Sequence, residues 1–377
     1  MLREEEKPAA AACVMGNQET FTKRGLLHFP GPRCTFYFLK DLTMKKILLA
    51  VISLLLGTAP AMAQMTTGLT GKQDTSFSNA GAYRQALKKH PNIQLVEEFP
   101  LPTVQEKRNL VYCSVGGRKL KLDAFYPKKK TKAKAPAILL IHGGGWRSGS
   151  RQQHIPLAQR LADLGYVCFT VEYRLSTEAL YPAAVHDLKA AVRWVRASAR
   201  QFNLDPTKIT ALGFSAGGEL AAFLGTTNQN PTFEGEDCLS GVSSQVQAVV
   251  NLDGTLSFVH PESGEGNDSR SISAATYWFG YPKKENYALW EEASPLARVG
   301  KNTPPFLFIN SSVDRMHAGR DDFRKILAQH NIYSEVHSFS DAPHAFPLFQ
   351  PWFEPMVTYI DSFLRNVYPL KKKKKKK

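Results

Sequence analysis

Residues 213–217 read Gly-Phe-Ser-Ala-Gly and lie between a strand-like run and a stretch of small residues. The run before them, 208–212, is mostly β-branched or apolar and predicts a buried strand, whereas the residues after them predict a helix. A strand that turns sharply into a helix at Gly-x-Ser-x-Gly exposes the serine hydroxyl, an arrangement called a nucleophile elbow. The glycines are needed because backbone approaches the turn closely. The pentapeptide alone is a weak signal, but this context favours Ser215 as a nucleophile.

Predicted strands and helices alternate around this turn, after a predicted hairpin of strands at 109–115 and 118–125. Such alternation predicts an α/β fold with a mostly parallel, doubly wound sheet and helices on both faces. We expect this domain to span 108–370, with 254–303 as a small aromatic-rich cap or insert, and an N-terminal segment at 64–107 with one short helix near 83–89. The further predicted strands are 136–141, 166–171, 245–252, 305–310 and 334–339, and the helices are 154–164, 182–202, 216–224, 320–329 and 355–367.

Residues 44–63 have the pattern of a secretory signal peptide: a methionine with two lysines, a short apolar run, and Ala-Met-Ala at the end. The pattern predicts cleavage between Ala63 and Gln64 and a periplasmic or secreted protein. No cysteine follows the cleavage site, and the apolar run is short for a bilayer span, so we expect no stable membrane anchor. Residues 1–43 are interpreted as a non-native upstream extension, with a true extended leader as the alternative. The lysines of 371–377 are interpreted as a disordered tail or as the product of an adenine-rich gene end.

The formal net charge of +15 would suit a nucleic-acid-binding protein, but its distribution does not. The last seven residues carry +7 and the first 63 carry +3, which leaves +5 for residues 64–370. We therefore expect no nucleic-acid partner. Of the three cysteines after residue 64, Cys168 lies in a predicted buried strand, whereas Cys113 and Cys238 could pair, with nothing in the sequence to support the distance.

A serine nucleophile needs a base, and the base needs a third group to orient it. In this arrangement the chain order is nucleophile, acid, base. Asp314 follows the predicted strand 305–310 after a short loop and is favoured as the acid. Its rivals are Asp321 and Asp322, which fall inside a predicted helix, and Asp253, at the end of the preceding strand. His344 lies between the last strand and the C-terminal helix and is the predicted base.

The oxyanion that forms during acyl transfer needs backbone N–H donors. The strand at 136–141 ends in His-Gly-Gly-Gly-Trp, and glycines let backbone approach a substrate without a side chain in the way. The amides of Gly144 and Gly145, together with that of Ala216, are the predicted donors. His142 is expected to order this loop and is not the predicted base.

Together these motifs resemble the α/β-hydrolase esterases related to hormone-sensitive lipase, and most closely the bacterial acetyl xylan, pectin and feruloyl esterases. The resemblance covers about residues 108–368 and implies a serine esterase with Ser215, Asp314 and His344 as its triad. It implies acyl ester substrates, acetyl above all, on a plant polysaccharide such as xylan or pectin. One departure is Glu219, where relatives often carry histidine.

The substrate itself is less constrained by the sequence. Trp146 and Arg315 are the predicted substrate-binding residues; Arg315, with Arg320, could face anionic sugars. Three further tryptophans are expected near the opening of the active site: Trp278, Trp290 and Trp352. Each of them alone is more typical of a hydrophobic core. A feruloyl esterase, an amidase or peptidase on the same scaffold, and a non-catalytic binding protein remain alternatives. No phosphate loop, dinucleotide fingerprint or metal-ligand cluster appears, so no cofactor or metal is expected.

Overall fold

The central sheet is built from strands whose sequences are almost continuously apolar. The computed structural model describes residues 63–129, 131–236 and 238–369; the predicted upstream extension, nearly all of the signal peptide and the lysine tail lie outside these residues. The strands of the sheet are β2 (Val104–Val115), β3 (Arg118–Pro127), β4 (Ala135–Ile141), β5 (Val167–Val171), β6 (Leu204–Phe214), β7 (Ala248–Leu252), β8 (Phe306–Asn310) and β9 (Ser334–Ser338). Their order across the sheet is β2-β3-β5-β4-β6-β7-β8-β9.

The pairing of β2 with β3 and of β3 with β5 is antiparallel, and all later pairs in this sheet are parallel. This confirms the predicted α/β architecture with a hairpin at the start. Every residue of β7 and of β8 is buried, as expected of strands covered on both faces. The predicted boundary at residue 108 lies inside β2, which begins four residues earlier, at Val104.

Helices cover both faces of the sheet. Two long helices, α3 (Ala183–Ala197) and α5 (Ala216–Thr226), pack on one face, and two others, α2 (Ile155–Asp163) and α9 (Phe353–Val367), pack on the other. The remaining helices are α1 (Asn79–Ala86), α4 (Ala199–Phe202), α6 (Ala274–Phe279), α7 (Tyr287–Glu292) and α8 (Arg320–Gln329), and a small separate pairing joins β1 (Gln94–Leu95) to β10 (Phe349–Gln350). The predicted helix 182–202 is interrupted at Ser198, and the predicted helix near 83–89 begins earlier, at Asn79.

The aromatic rings of the insert belong to the hydrophobic core of the domain. Trp278 on α6 and Trp290 on α7 are both fully buried, and Phe279 packs between them with ring centroids 5.0 and 4.6 Å away. These rings fill the insert instead of facing its surface. The N-terminal segment is tied to the same region, because the Met65 amide donates to the Gly280 carbonyl over 2.7 Å.

A disulfide bond cross-links two distant parts of the domain. Cys113 on β2 is bonded to Cys238, 125 residues further along the chain. Cys168 is the free, buried cysteine of the described residues, as its apolar neighbours predicted. In the described part of the chain, no helix is long and apolar enough to cross a membrane.

Candidate active site

Ser215 stands at the turn between β6 and α5, where the sequence placed it. Its backbone is in a region that non-glycine residues rarely adopt, with φ 56° and ψ −123°. The turn is held because the Ser215 amide donates to the Leu252 carbonyl over 2.9 Å. A Cβ at Gly213 would lie 1.9 Å from the Gly217 carbonyl oxygen, so the first position of the motif admits only glycine. The strained turn presents the serine hydroxyl at the carboxyl edge of the sheet.

His344 reaches the serine from the loop that follows β9. Its Nε2 lies 2.9 Å from Ser215 Oγ, and its ring packs against Phe214 with centroids 4.9 Å apart. The other ring nitrogen, Nδ1, lies 3.0 Å from Oδ2 of Asp253. A continuous chain of hydrogen bonds therefore runs from the serine hydroxyl through the imidazole to a carboxylate.

Asp253 is a fully buried carboxylate, placed directly after β7. Its Oδ1 accepts the Ser311 amide over 2.8 Å, and its Oδ2 accepts the Ser311 hydroxyl. Its own amide donates to the Ile309 carbonyl over 3.1 Å, which ties the end of β7 to the end of β8. These bonds hold the carboxylate where it can orient the imidazole of His344.

The prediction that Asp314 orients His344 is wrong. The Asp314 side chain is 100% exposed, and its ionisable neighbour is His317, whose Nε2 lies 3.9 Å from Oδ1. The physical reason is the path of the chain after β8. Ser311 turns back to Asp253, and Ser312 donates to the Ala342 carbonyl over 3.1 Å through its amide and 2.8 Å through its hydroxyl. Asp314 is thereby carried past the site, onto a short 3-10 helix at the surface.

The glycine loop after β4 lies directly against the serine. A Cβ added at Gly143 would be 3.0 Å from Ser215 Cβ, and the Gly143 amide is already bonded to Gln153 Oε1 over 2.7 Å. Among the described residues, no acceptor is bonded to the amides of the three predicted donors. These amides, of Gly144, Gly145 and Ala216, are the ones that a developing oxyanion could use.

Burial keeps the loop's histidine neutral. His142 Nδ1 lies 2.9 Å from the Gly143 carbonyl oxygen, and the ring stacks on Tyr173 with centroids 4.5 Å apart. Loss of solvent lowers the pKa of His142 to about 4. His142 therefore orders the loop, as the sequence suggested, and stands apart from the chain of hydrogen bonds that includes Ser215.

The prediction that Trp146 contacts substrate is wrong. Its ring is only 4% exposed and stacks on Trp278 with centroids 4.9 Å apart. Its indole N–H donates to Glu219 Oε2 over 2.9 Å. Trp146 is therefore a core residue that joins the glycine loop to α5 and to the insert. Trp352, another tryptophan that was expected near the site, is also buried.

Arg315 remains at the surface, beside the insert. Its guanidinium lies 3.6 Å from a Glu265 oxygen. Arg320 is also engaged, since it donates to Asn310 Oδ1 over 2.9 Å. In the described residues, no group of three or more histidine, cysteine or acidic side chains is arranged to hold a metal ion.

The sheet order, the strained serine turn and the Ser215–His344–Asp253 contacts define an α/β hydrolase. The chain belongs to the BD-FAE family, whose model matches residues 122–318, a little over half of its length.

Its relatives include esterases. Esterase LipC of Mycobacterium tuberculosis is 33% identical over 199 residues, which are 51% of this chain and 48% of LipC. The chain thus spans about half the length of that relative. The apo form of Thermogutta terrifontis esterase 2 has a TM-score of 0.58 and 27% identity, over 71% of this chain and 96% of that one. A truncated carbohydrate esterase from gut microbiota shares the fold, with a TM-score of 0.57 and 24% identity over 69% of this chain and 96% of that one.

Proposed function

We propose that this chain hydrolyses carboxylic esters through an acyl-enzyme on Ser215. The observation that carries the proposal is the unbroken chain of hydrogen bonds between Ser215, His344 and Asp253, at 2.9 and 3.0 Å. Its place on a nucleophile elbow, next to unbonded loop amides, and the esterases among its relatives support the same reaction.

In the first half of the reaction, Ser215 Oγ attacks the ester carbonyl carbon while His344 Nε2 takes the hydroxyl proton. Asp253 fixes the ring so that Nδ1–H points at the carboxylate and Nε2 is free to accept. The charge that develops on the carbonyl oxygen is met by the amides of Gly144, Gly145 and Ala216. The C–O bond to the alcohol then breaks, and the alcohol leaves with the proton from His344.

In the second half, His344 takes a proton from water, and the hydroxide attacks the acyl carbon. Ser215 leaves with that proton and a free carboxylic acid is released. The substrate we propose is a small acyl ester, acetyl above all, of a plant polysaccharide. Close packing of the insert on the glycine loop supports a small acyl group, because a Cβ at Gly145 would lie 3.0 Å from that of Ala274.

We further propose that the protein is exported to the periplasm or beyond. The signal-peptide pattern at 44–63 supports this, as does the Cys113–Cys238 disulfide, because such bonds persist in oxidising compartments. Gln64, the residue after the predicted cleavage site, is held on the insert by a 3.2 Å bond from Nε2 to the Phe279 carbonyl. N-terminal sequencing of the exported protein tests this, and a mature start far from Gln64 would contradict it.

Hydrolysis of 4-nitrophenyl acetate tests the reaction. We expect turnover by the wild-type protein and a loss of at least about a thousandfold in Ser215→Ala, because the acyl-enzyme cannot form. We also expect kcat/KM to fall from the acetate to the butyrate. Turnover that survives Ser215→Ala would refute the proposal, and faster cleavage of an acyl anilide than of the ester would indicate an amidase instead.

A further inference from the structure

One carboxylate of the insert lies beside the proposed site without a hydrogen bond. Glu265 has 19% of its side chain exposed. Its carboxylate forms an ion pair with Arg315, whose Nη1 lies 3.6 Å from Oε1. Among the described residues, no group donates a hydrogen bond to either carboxylate oxygen. A half-buried carboxylate in this state has acceptor capacity that a bound molecule can use.

The loop that carries Glu265 is fixed on both sides. A Cβ at Gly264 would lie 3.2 Å from Arg315 Cδ, so this glycine packs on the arginine stem. At Gly266 a Cβ would lie 2.8 Å from both Lys283 and Trp290. Lys283 in turn donates to a backbone carbonyl of the insert over 2.9 Å. Glu265 is therefore held in place before any substrate arrives.

Glu265 also lies within electrostatic reach of the proposed base. Burial raises the pKa of Glu265, whereas the positive charges of Arg315 and Lys283, and that of His344 when it holds a second proton, oppose that shift. In ester cleavage His344 delivers its proton to the departing alcohol, so the alcohol must lie on the histidine side of the serine. A group of the insert near His344 is thus placed to contact the alcohol part of the ester.

We propose that Glu265, positioned by Arg315, accepts hydrogen bonds from the hydroxyl groups of a carbohydrate leaving group and so selects sugar esters over esters of simple alcohols. The inference rests on the proposed esterase function. It also assigns Arg315 a different role from the one that the sequence suggested. The arginine's charge is balanced by Glu265, so the pair offers no net positive charge that would attract an anionic sugar. Neutral polyols, such as acetylated xylose units, fit this pairing better than galacturonate.

The test compares kcat/KM for two substrates: an acetylated xylo-oligosaccharide and 4-nitrophenyl acetate. In Glu265→Ala we expect a loss of about tenfold to a hundredfold on the sugar ester and a change of less than about threefold on the nitrophenyl ester. Glu265→Gln keeps the shape but replaces a charged acceptor with a neutral one, and should lose less. Glu285→Gln, an exposed position of the same insert, is the matched control and should change neither value.

The nitrophenyl ester also reports whether each variant is folded. An equal loss on both substrates, or no loss on either, would overturn the role of Glu265 while leaving the esterase proposal standing. If the wild-type protein shows no Ser215-dependent turnover of the nitrophenyl ester, both proposals fall together.

Discussion

Glu219 is a buried carboxyl group one turn after Ser215, and it makes the stability of the protein depend on pH. It is 1% exposed, its Oε2 accepts the Trp146 indole N–H, and its Oε1 has no partner among the described residues. Burial raises its pKa well above the ordinary value of 4.5, and the Trp146 bond opposes this only in part. The folded protein therefore keeps this proton at a pH where the unfolded chain has lost it.

The sign and size of the effect follow from this difference. Below pH 4.5 both states hold the proton, and the contribution to stability is fully present. Above it, the folded state holds one more proton than the unfolded state, so the free energy of unfolding falls by about 1.4 kcal/mol per pH unit until the folded pKa is reached. Glu219→Gln has no proton to lose, and its amide oxygen can accept the same indole N–H. The variant should lack this slope.

Urea unfolding of both proteins from about pH 5 to about pH 8 measures the difference. We expect the Gln variant to gain about 1.4 kcal/mol over the wild type for each pH unit at the start of this range. Other titrating groups cancel in the comparison, since they are common to both proteins. If the free energies of unfolding of the two proteins changed with pH in parallel, or if the variant became less stable than the wild type as the pH rises, the inference that Glu219 is buried in its neutral form would be refuted.

Two further predictions concern the scaffold around the site. Replacing Cys113 and Cys238 with serine removes a cross-link that spans 125 residues, which in the chain-entropy model lowers the free energy of unfolding by about 5 kcal/mol; a loss under about 1 kcal/mol in urea titration would contradict this. Arg147→Met should lower kcat/KM for 4-nitrophenyl acetate by about tenfold to a hundredfold, because Arg147 joins the glycine loop to Asp74 over 2.8 Å and to the Tyr277 ring at 4.3 Å. Unchanged kinetics would show that these contacts do not position the loop.

The elements that the sequence predicted well are those with a local signal. Buried strands appear as unbroken apolar runs, and β4, β7 and β8 were found within a few residues. The serine turn has a short motif with a steric cause. The position of His344 follows from chain order and from its loop after the last strand of the sheet.

The choice between two aspartates could not be made from local signals. Asp253 and Asp314 both follow a buried strand and both lie between the serine and the histidine. What separates them is the route of the residues after β8, where Ser311 bonds back to Asp253. One signal did point the right way: Asp253 follows its strand immediately, whereas Asp314 comes four residues after the end of β8.

The insert and the disulfide depend on contacts between distant parts of the chain. An aromatic-rich segment can face a ligand or fill its own core, and its composition is the same in both cases. Trp146 is buried because two insert residues, Trp278 and Phe258, pack against its ring. The cysteine pair is likewise brought together by the fold, across 125 residues.

The central claim is that Asp253, and not Asp314, completes the catalytic chain through His344, and a pair of matched variants tests it most directly. Asp253→Asn should lower kcat for 4-nitrophenyl acetate by a factor on the order of 10⁴, because the amide favours the wrong tautomer of the imidazole. Asp314→Asn alters a fully exposed side chain and should leave kcat within about twofold. The reverse pattern, with Asp314→Asn inactive and Asp253→Asn active, would contradict the site described here.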